Sequence, residues 1–395
     1  MSNTIERELE TLLGESPSDA SARASSAFDV AAGASAGSIV LFGAGGLGRK
    51  TLRGLRQVGV EPLAFADNNP AIWHQKIDGI PVLPPDQAVA KYGGYAVFVV
   101  TIWRAGGGHR FDRTQQELHR LGCGKVLPAA LLFWKYPGIF LDYYCLGLPQ
   151  NVLAERDSIS EAIGWFLDER SRREFVAQIR WRLHLDFGCL PAAVREEQYF
   201  PDDVFKLHGG EVFVDCGAFD GDSVDAFLRR QGEAFRRIIA LEPDPVNYRK
   251  MEDRVSRYSD PVRGKIHLEQ KGVSDFTGPL RFDGEGSLSS AASPNGAIEI
   301  ECVTLDELLD GTEPTYIKMD IEGAELQALQ GARNSLRASA SVLAISAYHK
   351  QNHLWQVPKL IKAMNPGSQL FLRPHNEECW DTVCYAVPST RLNNQ

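Results

Sequence analysis

No CxxC pair occurs in this 395-residue chain; its seven cysteines, Cys123, Cys145, Cys189, Cys216, Cys302, Cys379 and Cys384, are scattered. An odd, dispersed set excludes a zinc ribbon or a disulfide framework and fits reduced, buried thiols. Long apolar runs are missing as well. No stretch approaches the roughly 20 residues that a membrane helix needs, and the acidic start MSNTIERELE has none of the layout of a secretory signal. Basic charge is also short: 42 Lys and Arg against 51 Asp and Glu give a formal charge of -9, the wrong sign for a general nucleic-acid binder. The expectation is a cytoplasmic protein with no nucleic-acid or membrane partner. What remains is an ordinary globular composition, 44% hydrophobic and 24% charged, on a chain long enough for two domains.

The pattern along the chain divides it. Residues 1–37 thin into a Ser/Ala/Gly run that is expected to be a flexible leader. From Ser38, apolar strands at 38–42, 62–66, 79–83 and 95–101 alternate with helical patterns, which predicts a parallel α/β domain over 38–148. Residues 149–208 lack such strands and carry apolar positions at helical spacing, which predicts a helical connector. A second α/β series fills 209–395. Strands are expected at 211–216, 237–242, 265–270, 298–303, 315–320, 341–347, 368–373 and 380–387, with helices at 223–231, 245–257, 323–337 and 353–364. The closing pair of strands fits an antiparallel strand inserted into a parallel sheet, the architecture of class I methyltransferases. The fold class is therefore α/β, with two Rossmann-like domains joined by a helical connector.

The most informative segment runs from Val212 to Ser223, a strand entering a loop with Asp215, Gly217, Asp220, Gly221 and Asp222. Its glycines let a ligand approach the backbone. Its three acids disfavour a phosphate and suit a cationic ligand such as S-adenosylmethionine. Glu242, at the tip of the next strand, is placed to accept hydrogen bonds from ribose hydroxyls. Ser274, in Lys271-Gly272-Val273-Ser274-Asp275, is a further candidate cofactor contact, as is Asp320 at the end of the strand 315–320. His349, after the strand 341–347, is the leading candidate base for a hydroxyl acceptor, with Asp320 the alternative. Two carboxylates, Asp320 and Glu322, would suit magnesium, but no metal is expected.

The stretches Tyr199-Phe200-Pro201, Val214–Gly221, Glu242–Pro245, Lys318–Glu325 with Gly331-Ala332, and Ile345–Lys350 resemble the FkbM-type methyltransferases across nearly all of 199–388. The resemblance implies methyl transfer from S-adenosylmethionine to an oxygen of a small molecule, often a sugar or polyketide hydroxyl. It implies that the loop around Gly217 and Glu242 hold the cofactor. Many relatives carry Asn where this loop has Phe219-Asp220, so contacts to the methionine end are expected to differ.

The first domain carries its own loop, Gly43-x-Gly45-x-x-Gly48, between a strand and a helix, with Asp67 ending the next strand. It has no acids, Arg49 and Lys50 follow it, and a phosphate would suit the helix start. Residues 38–102, with Ala66–Pro70 and Asp78–Val82, resemble the nucleotide-sugar-binding Rossmann domain of bacterial sugar acetyltransferases, which implies a nucleotide-diphosphate ligand. A sugar nucleotide is thus one candidate for the methyl acceptor, and a homo-oligomer is left open. The competing function is an NAD(P)- or nucleotide-sugar-dependent enzyme in the N-terminal domain, with the C-terminal domain a binding module. The lack of a Tyr-x-x-x-Lys hydride-transfer motif counts against its NAD(P) form.

Overall fold

A computed structural model describes residues 2–104, 106, 108–194, 196–283, 291–292 and 298–392. The chain divides into two compact units. One comprises Met1–Arg156, Glu174–Ala193 and Asn376–Trp380; the other comprises Asp157–Arg173, Val194–His375 and Asp381–Gln395. No described helix is long and apolar enough to cross a membrane, and all seven cysteines are free thiols.

The first unit is built on strands β1 (Ile39–Phe42), β2 (Ala64–Ala66), β3 (Lys76–Ile77), β4 (Ile80–Leu83), β5 (Val97–Val100) and β6 (Val126–Pro128), in the order β3-β4-β2-β1-β5-β6. All pair in parallel except β3, which runs antiparallel to β4. The central IVLF and VFVV strands are buried along their whole length, as strands covered on both faces must be.

The expected flexible leader is corrected. Residues Ser2–Leu12 and Pro17–Ala32 are helices, and Ser16 caps the second by accepting a hydrogen bond from the Asp19 amide at 3.1 Å. Ala20, Ala24, Phe28 and Ala32 recur every four residues and are buried, so this helix packs closely against Ala129–Lys135 and Pro149–Ala154. The expected connector is corrected in part. Residues 149–208 do hold helices, Pro149–Ala154, Arg156–Ile163 and Glu169–His184, but 157–173 belong to one unit and 174–193 to the other.

The second unit holds β7 (Val212–Cys216), β8 (Arg237–Leu241), β9 (Ile266–Glu269), β10 (Gly272–Val273), β11 (Gly278–Asp283), β12 (Ala291–Ala292), β13 (Ile298–Val303), β14 (Tyr316–Met319), β15 (Val342–Ser346), β16 (Gln369–Pro374) and β17 (Thr382–Val387). Seven of them form a sheet ordered β16-β17-β15-β14-β7-β8-β9, parallel except for β17, which is antiparallel to both neighbours. This is the class I methyltransferase arrangement expected from the closing strand pair. The remaining four, β10-β13-β11-β12, make a separate small sheet, so the strand expected at 298–303 lies outside the main one. Phe213 of β7 and Tyr316 of β14 stack at 5.0 Å in the core. Because β7, β8, β14 and β15 are parallel and adjacent, their C-terminal ends open on one edge. That edge collects residues 217–221, 242–245, 320–325 and 347–349.

Candidate functional site

β7 ends in a loop whose shape rests on two positive-φ glycines, Gly217 (φ 79°) and Gly221 (φ 87°), the latter entering the helix Asp222–Gln231. A Cβ on Gly217 would lie 2.0 Å from the Asp320 carbonyl oxygen, so the glycine is required by the β14 tip as well as by any ligand. Glu242, just past β8, fastens the loop: Oε2 accepts the Phe219 amide and Oε1 the Asp244 amide, each at 2.9 Å. Glu242 is buried, and burial pushes its carboxyl up to about 7 despite those two amides. Each carboxylate oxygen offers two lone pairs, so two acceptor positions stay open to a ligand.

Asp215, expected as a cofactor contact, has its side chain engaged within the protein. Register sets Asp215 opposite Lys318, and the fully buried carboxylate pairs with Lys318 Nζ at 3.0 Å while accepting the Ser223 hydroxyl. Lys318 Nζ also donates to the Gly217 carbonyl at 2.5 Å. Burial works against the Lys318 charge, but Asp215, Asp320 and Asp222 outweigh it and raise its pKa. Asp215 therefore shapes the loop through Lys318. Asp220 is tied to Arg254 at 2.6 Å. Ser274 is buried, donates to Asp275 at 3.2 Å, and its carbonyl presses on Gly331.

The sequence-predicted pair Asp320 and His349 is brought together. His349 Nε2 lies 3.3 Å from Asp320 Oδ1 and 3.8 Å from Glu322 Oε2, while Nδ1 meets Glu325 Oε1 at 2.8 Å. Glu325, buried in the first turn of its helix, also accepts the Ile321 amide at 3.0 Å and pairs with His353 Nδ1 at 3.1 Å. Tyr199 donates its hydroxyl to Asp320 Oδ2 at 2.6 Å. Burial opposes a charge on His349, but Glu325, Asp320 and Glu322 overcome it and push its pKa up to about 10. Burial pushes Glu322 up to about 8. His375 lies elsewhere, against the Tyr385 hydroxyl at 2.7 Å, and burial pulls it down to about 4.

Asp320, Glu325 and His349 offer ligand atoms within 4.8 Å of one another. Asp320 faces the Nε2 edge of the imidazole and Glu325 the Nδ1 edge. The arrangement is a charged imidazole hydrogen-bonded to Glu325 through Nδ1 and set beside the Asp320 carboxylate through Nε2. Sequence reasoning gave no site role to Tyr199 or Lys318, and treated Glu325 as a helix-start acid. Each stood inside a quoted motif, which was the available signal.

The N-terminal loop repeats the fastening. Asp67 Oδ2 accepts the Ala44 amide at 2.7 Å and Oδ1 the Asn69 amide at 2.8 Å. A Cβ on Gly48 would come 2.0 Å from the Gly43 carbonyl oxygen, while Gly45 faces open space. Lys50, expected to lend charge to this loop, instead lies 4.3 Å over the Tyr143 ring, and burial lowers its pKa.

Residues 215–366 match the family model described as methyltransferase FkbM domain. Over 107 residues the chain is 29% identical to hexuronic acid methyltransferase AglP of Haloferax volcanii, covering 26% of this chain and 43% of that one. The chain thus spans less than half the length of this curated relative. The crystal structure of a methyltransferase FkbM from Methylobacillus flagellatus KT superposes with a TM-score of 0.76 over 98% of this chain and 99% of the other, at 22% identity, which shows a shared fold.

Proposed function

We propose that the FkbM methyltransferase domain at 215–366 belongs to an S-adenosylmethionine-dependent O-methyltransferase acting on a hydroxyl of a small molecule, a sugar or glycoconjugate. The observation that carries the reading is the Glu242 clamp: a buried carboxylate holding a glycine loop by two amides, with acceptor positions left for a ribose diol. In this reading Gly217, Gly221 and the backbone of 218–220 line the cofactor, Asp220 shapes the loop through Arg254, and Ser274 flanks it. The cofactor supplies a methyl group on a sulfonium already activated for displacement. The chain's contribution is alignment and charge: Asp320 lends negative potential at the strand tip, favourable to a cation. His349, with a pKa of about 10, carries its proton at neutral pH and has no lone pair to offer. We therefore assign the acceptor's proton to Asp320, oriented by Tyr199 and His349. The sugar acceptor is supported by the named activity of the AglP relative.

The competing reading puts an NAD(P)- or nucleotide-sugar-dependent activity in the N-terminal unit. The Ala44–Asp67 clamp favours a ligand there, and we assign Gly43, Gly45, Gly48 and Asp67 to a nucleotide-diphosphate ligand, a candidate acceptor carrier. The test is calorimetry of the full chain with S-adenosylhomocysteine, NADH and UDP-sugars. S-adenosylhomocysteine should bind, and Glu242→Gln should weaken it by roughly 1.5–3 kcal/mol for each charge-assisted bond lost. Because Glu242 titrates near 7, wild-type affinity should fall as pH drops from 8 to 5.5. An unchanged Glu242→Gln affinity, or a flat pH profile, removes the ribose assignment.

A further inference from the structure

Tyr199 holds a backbone conformation that a residue of its kind disfavours. Its φ is 68°, in the left-handed region where a bulky L-residue is an outlier that its surroundings must enforce. Two buried phenols do so. The Tyr199 amide donates to the Tyr385 hydroxyl at 2.9 Å, and the Tyr199 carbonyl accepts the Tyr316 hydroxyl. Burial raises both phenols well above their usual range, so each keeps its proton. Tyr385 points that proton at His375 Nε2, 2.7 Å away. The tautomer follows from the other edge of the ring. His375 Nδ1 lies 3.1 Å from the Glu196 carbonyl, which can only accept, so Nδ1 carries the proton and Nε2 is bare. With its pKa pulled down to about 4 by burial, His375 stays in this neutral form. At the other end of Tyr199, its hydroxyl accepts from Gln198 Nε2 at 2.9 Å and aims its own proton at Asp320 Oδ2. Every member of this chain of hydrogen bonds lies in the second unit.

We propose that Tyr385 and His375 are positioning residues for methyl transfer, which with Tyr316 hold Tyr199 in the strained conformation from which its hydroxyl reaches Asp320. The proposal rests on the assignment of Asp320 as the group that takes the acceptor's proton. As the methyl passes from sulfur to the acceptor oxygen, that oxygen gives its proton to the carboxylate, which must stand at a fixed angle to receive it. The Tyr199 hydroxyl pins one carboxylate oxygen and so orients the other. Released from Tyr385, Tyr199 is free to leave the left-handed region, and its hydroxyl leaves Asp320 with it. A role in packing alone is distinguishable from this one. Phenylalanine at 385 keeps the ring in the core and removes only the oxygen that holds the Tyr199 amide.

The experiment uses the full chain and two readouts: deuterium exchange at the Tyr199 amide, and single-turnover methyl transfer from S-adenosylmethionine to methyl glucoside and methyl glucuronide. Exchange at Tyr199 should quicken in Tyr385→Phe, and needs no acceptor. Transfer should slow roughly tenfold in Tyr199→Phe and by a similar factor in Tyr385→Phe, with S-adenosylhomocysteine affinity unchanged. The double variant should be no slower than Tyr199→Phe alone, because both changes remove the same contact. His375→Leu should behave as Tyr385→Phe does and serves if that variant does not fold. His375→Gln keeps an acceptor for the Tyr385 hydroxyl and should restore most of the rate and the slow exchange. Unaltered Tyr199 exchange in Tyr385→Phe, a wild-type rate in that variant, or losses that multiply in the double variant would each overturn the proposal. A wild type that neither binds S-adenosylhomocysteine nor methylates a probe, while Tyr199 exchange responds as expected, removes the methyl-transfer reading instead.

Discussion

Gly217→Ala isolates what the glycine loop requires before any ligand arrives. Gly217 sits at φ 79°, and an added Cβ would lie 2.0 Å from the Asp320 carbonyl oxygen. That oxygen cannot swing aside, since the Asp320 amide is bound to the Cys216 carbonyl at 3.0 Å and the strands are locked in register. A left-handed backbone costs an L-residue roughly 1–2 kcal/mol. Overpacking against a fixed neighbour adds about 1–3 kcal/mol. The sum, roughly 2–5 kcal/mol, corresponds to a lowering of Tm by roughly 5–15 °C for a unit of this size. Gly45→Ala is the control: its φ is -75°, nothing lies within 4 Å of a Cβ, and its Tm should stay within about 2 °C of wild type. Thermal unfolding without ligand, followed by circular dichroism and intrinsic fluorescence because two units can melt separately, reads both variants. If Gly217→Ala melts with the wild type, the close approach to Asp320 is not what demands glycine, and the loop argument fails.

Asp320→Asn should slow methyl transfer by roughly a hundredfold or more and weaken cofactor binding as well. His349→Gln should slow it less; the reverse ranking in single-turnover assays would return the base to His349. Lys318→Met leaves Asp215 buried without its cation and should destabilise by about 3–5 kcal/mol, and adding Asp215→Asn should recover a large part of that in denaturant titrations. No recovery would mean the pair is not the source of the loss. The His349 pKa is raised above its ordinary value, so its stabilisation is complete below about pH 6.5 and fades as pH climbs through about 10. Wild-type Tm should therefore fall more steeply from pH 7 to 10 than that of His349→Gln, and parallel slopes would sink this reading.

Which parts of this were legible in sequence follows from how far apart the interacting residues are. β7, β8 and β14 are apolar runs ended by Gly, Pro or acids, so the positions of Gly217, Glu242 and Asp320 could be read directly. The partner of Asp215 could not be read, because Lys318 becomes its neighbour only through cross-strand register. Tyr199 precedes the first strand of its sheet, and nothing local tells that its hydroxyl reaches Asp320. The helices at 2–12 and 17–32 were hidden by composition. Ala and Ser look like low complexity, yet Ala is the strongest helix former, and an alanine stripe buries itself by close packing. The charge on His349 was illegible for the same reason as the Asp215–Lys318 pair: three carboxylates set it, and all three arrive from the segment that follows β14.

The chain passes between its two units at residues 156, 173, 193, 375 and 380. Synthesis runs from one end to the other, and domains usually fold as they emerge. Here the N-terminal sheet is complete at Pro128, but Phe187 and Glu378, which line a small cavity in that unit, arrive much later. The first unit therefore waits, partly formed, until nearly all of the second has left the ribosome. Cutting the gene near residue 148 or 208 would yield two incomplete pieces, not two domains. A chain wired this way passes to descendants as one block, so recombination can change its loops far more readily than it can exchange its halves.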